Sequence, residues 1–147
     1  MSSVVTVRSV PGAVYTTEIE AGNHAWLADE PADANGDDLG PDPYDLLLAA
    51  LGSCTTMTLH AYAHRKSWPL AGGTVRLRHE RHAAPGDDGR TTVLWEEIRR
   101  EIDLVGPLDG EQRQRLREIA ERCPVHRTIV GDLRVIDEVV EVAAVEV

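Results

Sequence analysis

The sequence predicts an α+β fold in a single domain over residues 1–147, and three observations carry that prediction. At 147 residues with 42% hydrophobic side chains, the chain is long enough to bury one core and too short for two. Strand-like stretches come in runs, three before the first helix and two after it, instead of alternating one by one with helices. The central segment carries helix-start chemistry followed by residues that are apolar on every side.

Residues 4–8, 13–20 and 24–28 are rich in Val, Thr, Tyr, Ile and Trp and are separated by Pro11-Gly12 and Gly22-Asn23, which predicts an antiparallel meander. Residues 29–42 shift to Asp, Pro, Gly, Ala and Asn, with little to bury, and read as a surface loop. Asp42-Pro43-Tyr44-Asp45 then places a capping side chain before a proline at the first helical position, with an acid where the helix dipole favours it. The helix is expected to run to about Lys66 and to be central to the fold, with Ala49, Ala50, Gly52 and Ser53 small enough to let another element approach.

Residues 74–82 and 91–104 alternate as strands around the hairpin Pro85-Gly86-Asp87-Asp88-Gly89. Asp109 can cap a second helix whose apolar stripe is Leu116, Ile119, Ala120 and Cys123, interrupted by Pro124. A short apolar segment reaches Val130, and the Val-rich, acidic residues 133–147 are expected to close the fold as one or two strands.

With 15 basic against 25 acidic side chains and a net charge of -10, the chain is a poor match for a nucleic-acid partner, whose phosphates are bound mainly by Lys and Arg. No apolar run is read as approaching the ~20 residues needed to cross a bilayer. The first residues lack a charged start followed by an apolar stretch, so a cytoplasmic protein without membrane contact is expected.

Two cysteines carry the chemistry. Cys54 lies mid-helix on a face with Leu47, Ala50, Leu51, Met57, Thr58 and Ala61. That setting suits either a buried, inert thiol or a reactive one in apolar packing. Cys123 ends an amphipathic stripe and precedes Pro124, with His126 three residues on; it either closes that face or stands at a helix start, where a thiol is acidified. The two helices can bring both thiols into one core, at a separation the sequence does not give.

His60 and His64 are one turn apart, a metal-compatible spacing, but no third ligand converges with them, and they read as an exposed helix edge. His79 and His82 are expected on opposite faces of a strand. Arg76, Arg78 and Arg81 with Glu97, Arg99 and Arg100 read as a solvated sheet face with cross-strand ion pairs. Trp26, Trp68 and Trp95 are expected to anchor the core or an interface.

Two separated segments, residues 40–55 continuing to Tyr62-Ala63-His64-Arg65-Lys66, and Ile119-Ala120-Glu121-Arg122-Cys123-Pro124-Val125-His126, resemble the osmotically inducible protein C and organic hydroperoxide resistance (OsmC/Ohr) family. The resemblance extends to His24 and residues 28–31. It implies a two-layer α+β fold, antiparallel sheets packed on two main helices, in an intertwined homodimer with two active sites at the interface. It also implies a cysteine-based peroxidase with no metal, haem or flavin, in which Cys54 is the peroxidatic thiol and Cys123 the resolving one, through a disulfide. The implied reductant is an external dithiol such as a lipoyl group. An organic hydroperoxide substrate would suit a pocket of Leu47, Leu51 and Met57.

Family peroxidases pair the reactive cysteine with an Arg from the N-terminal strands and a Glu near the start of the central helix. Here the only Arg before residue 65 is Arg8, off that pattern, with His24 nearer in alignment. Asp45 holds the Glu position as a candidate catalytic acid, yet nine residues of regular helix, or 900°, set it opposite Cys54, so a helix-start acid is the alternative. Two further readings are a redox-responsive or small-ligand-binding protein with structural cysteines, and a thiolate-His metal binder.

Overall fold

The computed structural model describes residues 3–138, in the order β1 (Val5–Ser9), β2 (Thr17–Ala21), β3 (His24–Ala28), α1 (Pro43–Arg65), β4 (Gly72–Pro85), β5 (Thr92–Val105), α2 (Gly110–Ala120) and α3 (Pro124–Val130). The fold is α+β. β1, β2 and β3 form an antiparallel meander, and β4 and β5 a separate antiparallel hairpin.

In the meander, Val7, Ile19 and Trp26 stand in one cross-strand row, and Ile19 at its centre is buried. Gly22 takes φ 59° at the first position of the two-residue turn between β2 and β3, where a type II′ hairpin turn calls for glycine. The loop that follows is ordered by Asp29. This buried carboxylate accepts from the Thr16 hydroxyl at 2.9 Å and from the backbone N–H groups of Glu30 and Leu39 at 2.8 and 3.4 Å. Burial pushes Asp29 up, but these donors outweigh it and hold the carboxyl below its ordinary value.

α1 starts as the sequence predicts: the Asp42 side chain accepts from the Asp45 N–H at 2.8 Å and Pro43 takes the first helical position. The helix lies across the inner face of the β4–β5 hairpin, whose partners Val75 and Ile102, Leu77 and Arg100, and His79 and Ile98 face one another. Gly52 makes the close approach possible, since a Cβ there would stand 2.8 Å from Leu77 Cδ1.

α2 closes the other side with a capping box between Asp109 and Gln112. Leu59 and Ala63 of α1 pack there with Leu108, Leu116, Ile119 and Ala120, edged by Tyr62, Trp68, Ile102 and Leu104.

The segment before Val130 is a short third helix with Cys123 at its N-cap and Pro124 as its first residue, the helix-start alternative given for Cys123. Other expectations need correction. Residues 133–138 form no strand, and the rest of the expected closing strands lies outside the described residues. α1 does meet the length and apolarity of a membrane-crossing helix, with a mean hydropathy of 1.3 over 18 residues, because its charged residues, Asp45 and Arg65, are confined to its two ends.

α1 is also less enclosed than its all-round apolarity predicts. Leu51, Gly52, Thr55, Leu59 and Ala63 are buried, while Leu47, Ala50, Met57 and Ala61 form an exposed stripe, Met57 with 70% of its surface open. Of the tryptophans, Trp68 joins the core, whereas Trp26 and Trp95 are exposed and Trp95 stacks on His82 at 5.1 Å.

Candidate active site

The fold brings Cys54 and Cys123 together. Cys54 stands mid-way along α1, half-buried beside the exposed stripe; Cys123 stands at the α2–α3 turn with none of its surface exposed. Both are free thiols, and they are near neighbours.

Their electrostatic settings differ. Burial pushes the Cys54 thiol above its ordinary value, and the neighbouring Cys123 adds to this, outweighing the Val125 N–H and the Thr58 hydroxyl. Burial acts in the same direction on Cys123. There it is outweighed by the Cys54 thiol as donor, by the backbone N–H groups of His126 and Val125 at the start of α3, and by the Thr55 hydroxyl, so Cys123 lies below the ordinary thiol value. The two thiols are thus shifted in opposite directions, Cys54 up and Cys123 down.

Sequence reasoning missed Arg100. Its guanidinium is turned inward to α1 and α2, donating from Nη1 to Thr55 Oγ1 at 2.9 Å and to the Ala120 carbonyl at 3.3 Å. Thr55 is fully buried, and its hydroxyl also lies 2.7 Å from the Leu51 carbonyl. Arg76, Arg78, Arg81 and Arg99 do form exposed ion pairs as expected, with Asp103, Glu80 and Glu96, but Arg100 has no carboxylate partner among the described residues. The signal was present: Ile98, Arg100, Ile102 and Leu104 alternate on one strand face, opposite to Arg99 and Glu101.

Arg100 also lines a cavity of about 530 Å³ between α1, the hairpin and α3, walled by Leu47, Leu51, Ile98, Ile129 and Val130, with His126 beside it. At its rim Tyr44 stacks on His79 at 4.5 Å, His79 Nε2 meets Glu96 at 2.9 Å, and Arg81 donates to the Tyr44 hydroxyl at 2.8 Å. Leu47 and Leu51 line it, but Met57 and the two cysteines do not, so it is not the Cys54 pocket expected of these residues.

Asp45 is exposed and lines a different, polar cleft with Pro31, Leu39 and Asp42. α1 is uninterrupted α-helix from Pro43, so nothing turns Asp45 toward Cys54. Arg8 is paired with Glu20 at 2.7 Å on the exposed side of the meander, and His24 is exposed on β3.

His60 and His64 gather no further ligands among the described residues. Among the described residues, the grouping with metal-ligand geometry is Glu80, His82 and Glu97, whose ligand atoms lie within 4.8 Å of one another across the outer hairpin face. Arg99 already engages both carboxylates, at 3.0 and 3.4 Å, which offsets the charge a cation would need. His79 and His82 do point to opposite faces, one to the cavity and one to this group.

A helix-borne thiol faced by a second thiol at a helix junction, on an α+β frame of one meander and one long hairpin, defines a class of small dithiol proteins. The chain belongs to the OsmC-like protein family, whose model matches residues 36–136. Among solved structures it is similar to an OsmC-like protein from Mycoplasma pneumoniae (19% identity, TM-score 0.71, 90% of this chain and 89% of that one). An organic hydroperoxide resistance protein OsmC from Legionella pneumophila matches at 16% identity and TM-score 0.65, over 90% and 91% of the two chains. A candidate osmotic stress induced and detoxification response protein from Psychrobacter arcticus matches at 24% identity and TM-score 0.65, over 90% of each chain. Comparison with curated proteins finds no significant sequence match.

Proposed function

We propose that this protein is a cysteine-based hydroperoxide reductase with a redox role in the oxidative stress response, preferring organic hydroperoxides. The observation that carries the reading is the facing pair Cys54 and Cys123, one thiol reachable from the surface and the other fully buried behind it. The family and the hydroperoxide resistance protein of Legionella support the same assignment.

The steps follow from the pair. As peroxide reaches Cys54, its proton passes to the Cys123 thiolate, and the Cys54 sulfur attacks the O–O bond. An S–O bond forms, the O–O bond breaks, and the alkoxide takes the proton back from Cys123 and leaves as alcohol. Cys123 thiolate then attacks the Cys54 sulfenic acid; the S–S bond forms, the S–O bond breaks, and hydroxide leaves as water with a proton from solvent. A dithiol of the lipoyl kind reduces the disulfide and is itself oxidised. No metal or organic cofactor takes part.

The working unit is a cytoplasmic homodimer joined along the open stripe of α1. Leu47, Ala50, Met57 and Ala61 leave an apolar face beside Cys54 that a second α1 would cover. Asp45 acts as a helix-start acid that complements the dipole.

The test is consumption of cumene hydroperoxide with reduced dihydrolipoamide. Turnover lost in Cys54→Ser is the expected result; wild-type protein inert to alkyl hydroperoxides would overturn the reading.

A further inference from the structure

Arg100 is built into the thiol site from outside both helices that carry the cysteines. Its Nη1 donates to Thr55 Oγ1 on α1 at 2.9 Å and to the Ala120 carbonyl at the end of α2 at 3.3 Å. That same carbonyl accepts the backbone N–H of Cys123 at 3.4 Å. Thr55, Ala120 and Cys123 each have 1% or less of their surface exposed, so water cannot substitute for these contacts.

We propose that Arg100 is the positioning residue of the cysteine pair: it bolts the Cys123 turn to the Cys54 helix and, by occupying the Thr55 oxygen as donor, frees the Thr55 proton to turn toward the Cys123 sulfur. The hydroxyl has one proton, which it donates to the Leu51 carbonyl at 2.7 Å, and it neighbours the Cys123 thiol as an alternative acceptor. With Cys123 protonated, the hydroxyl donates to Leu51. With Cys123 ionised, it turns to the thiolate, and the guanidinium charge behind it favours that state.

The charged or titratable groups on the elements around Cys123 are Cys54 from α1, Arg100 from β5 and His126 from α3, with Glu121 and Arg122 exposed on its own turn. Among them Arg100 is the one held by hydrogen bonds to both cysteine-bearing segments. The disulfide-closure arm of the test rests on the peroxidase reading; the titration arm does not.

The experiment titrates thiolate absorbance at 240 nm in Cys54→Ser protein, where Cys123 alone reports. Adding Arg100→Gln is expected to move the midpoint up by about one pH unit, a tenfold loss of thiolate at neutral pH. Arg100→Lys restores part of the shift, and Thr55→Val, close in shape, reproduces it without removing the guanidinium. In the two-cysteine protein given one equivalent of cumene hydroperoxide, Arg100→Gln is expected to slow disulfide closure about tenfold while dimedone still traps Cys54 sulfenic acid. An unchanged midpoint in folded Arg100→Gln and Thr55→Val overturns the proposal. A wild type inert to peroxide with the midpoint shift intact overturns the peroxidase reading instead and leaves the positioning role standing.

Discussion

Cys54 sits mid-helix, partly exposed, with its thiol pushed up by burial; Cys123 sits at a helix junction, fully buried, with its thiol drawn down by the donors around it. Accessibility and a lowered thiol thus fall on different members of the pair. A single cysteine given both properties would meet oxidant as a standing thiolate and run on to sulfinic acid. In the proposed peroxidase cycle the accessible thiol is the one that meets substrate, and the buried one stays beside it to close the disulfide.

The largest expected effect separates the two roles. Cys54→Ser should lower cumene hydroperoxide consumption about a thousandfold or more, whereas Cys123→Ser should allow one turnover and leave a sulfenic acid on Cys54, read by dimedone labelling and mass spectrometry. Equal loss in both, with no trapped sulfenic acid, would break the comparison.

Two substitutions test the packed and open faces of α1. Leu116→Ala, opposite the packed face and fully buried, should cost about 3 kcal/mol in urea unfolding. Met57→Asp, on the open face, should instead weaken the proposed α1-to-α1 dimer, read as a shift toward monomer in sedimentation. A smaller loss follows from Gly52→Ala: the added methyl crowds Leu77, and the gain in helix propensity offsets only part of the cost, for a net destabilisation of about 1 kcal/mol.

A subtler effect concerns pH. In Cys123→Ser protein burial remains the largest influence on Cys54, so its thiol should titrate above the ordinary value of ~8.5, followed by thiolate absorbance at 240 nm; a midpoint at or below that value would contradict the burial argument. Asp29 supplies a separate acid limb. Its carboxyl is lower when folded than unfolded, so its contribution is complete above the unfolded value near ~4 and is lost as pH falls through the folded one. Asp29→Asn should flatten that part of the stability profile, measured by thermal melts between neutral pH and pH 3.

Much of this arrangement is written locally in the chain. Asp42-Pro43 marks the start of α1 because cap and proline act within one turn, and Gly22-Asn23 sets the turn of the meander for the same reason. The helix faces that carry Cys54 and Cys123 are equally legible. That they meet is not, because their separation depends on how α2 and α3 pack on α1.

Arg100 shows a different kind of miss. It was grouped with Arg99 by composition, although neighbours on a strand face opposite ways and Ile98 and Ile102 place it inside. The peroxide pocket assumed to hold Leu47, Leu51 and Met57 split for a geometric reason: Met57 lies six positions after Leu51, and the helix carries it round to the open stripe. The cluster of Glu80, His82 and Glu97 was invisible because it forms across two strands.

The central claim is tested most directly by intact-protein and peptide mass spectrometry after one equivalent of cumene hydroperoxide is added to fully reduced protein. The account predicts a loss of two hydrogens and a peptide joined through Cys54 and Cys123. Protein that remains reduced, or that carries added oxygen on one cysteine with no joined peptide, would contradict it.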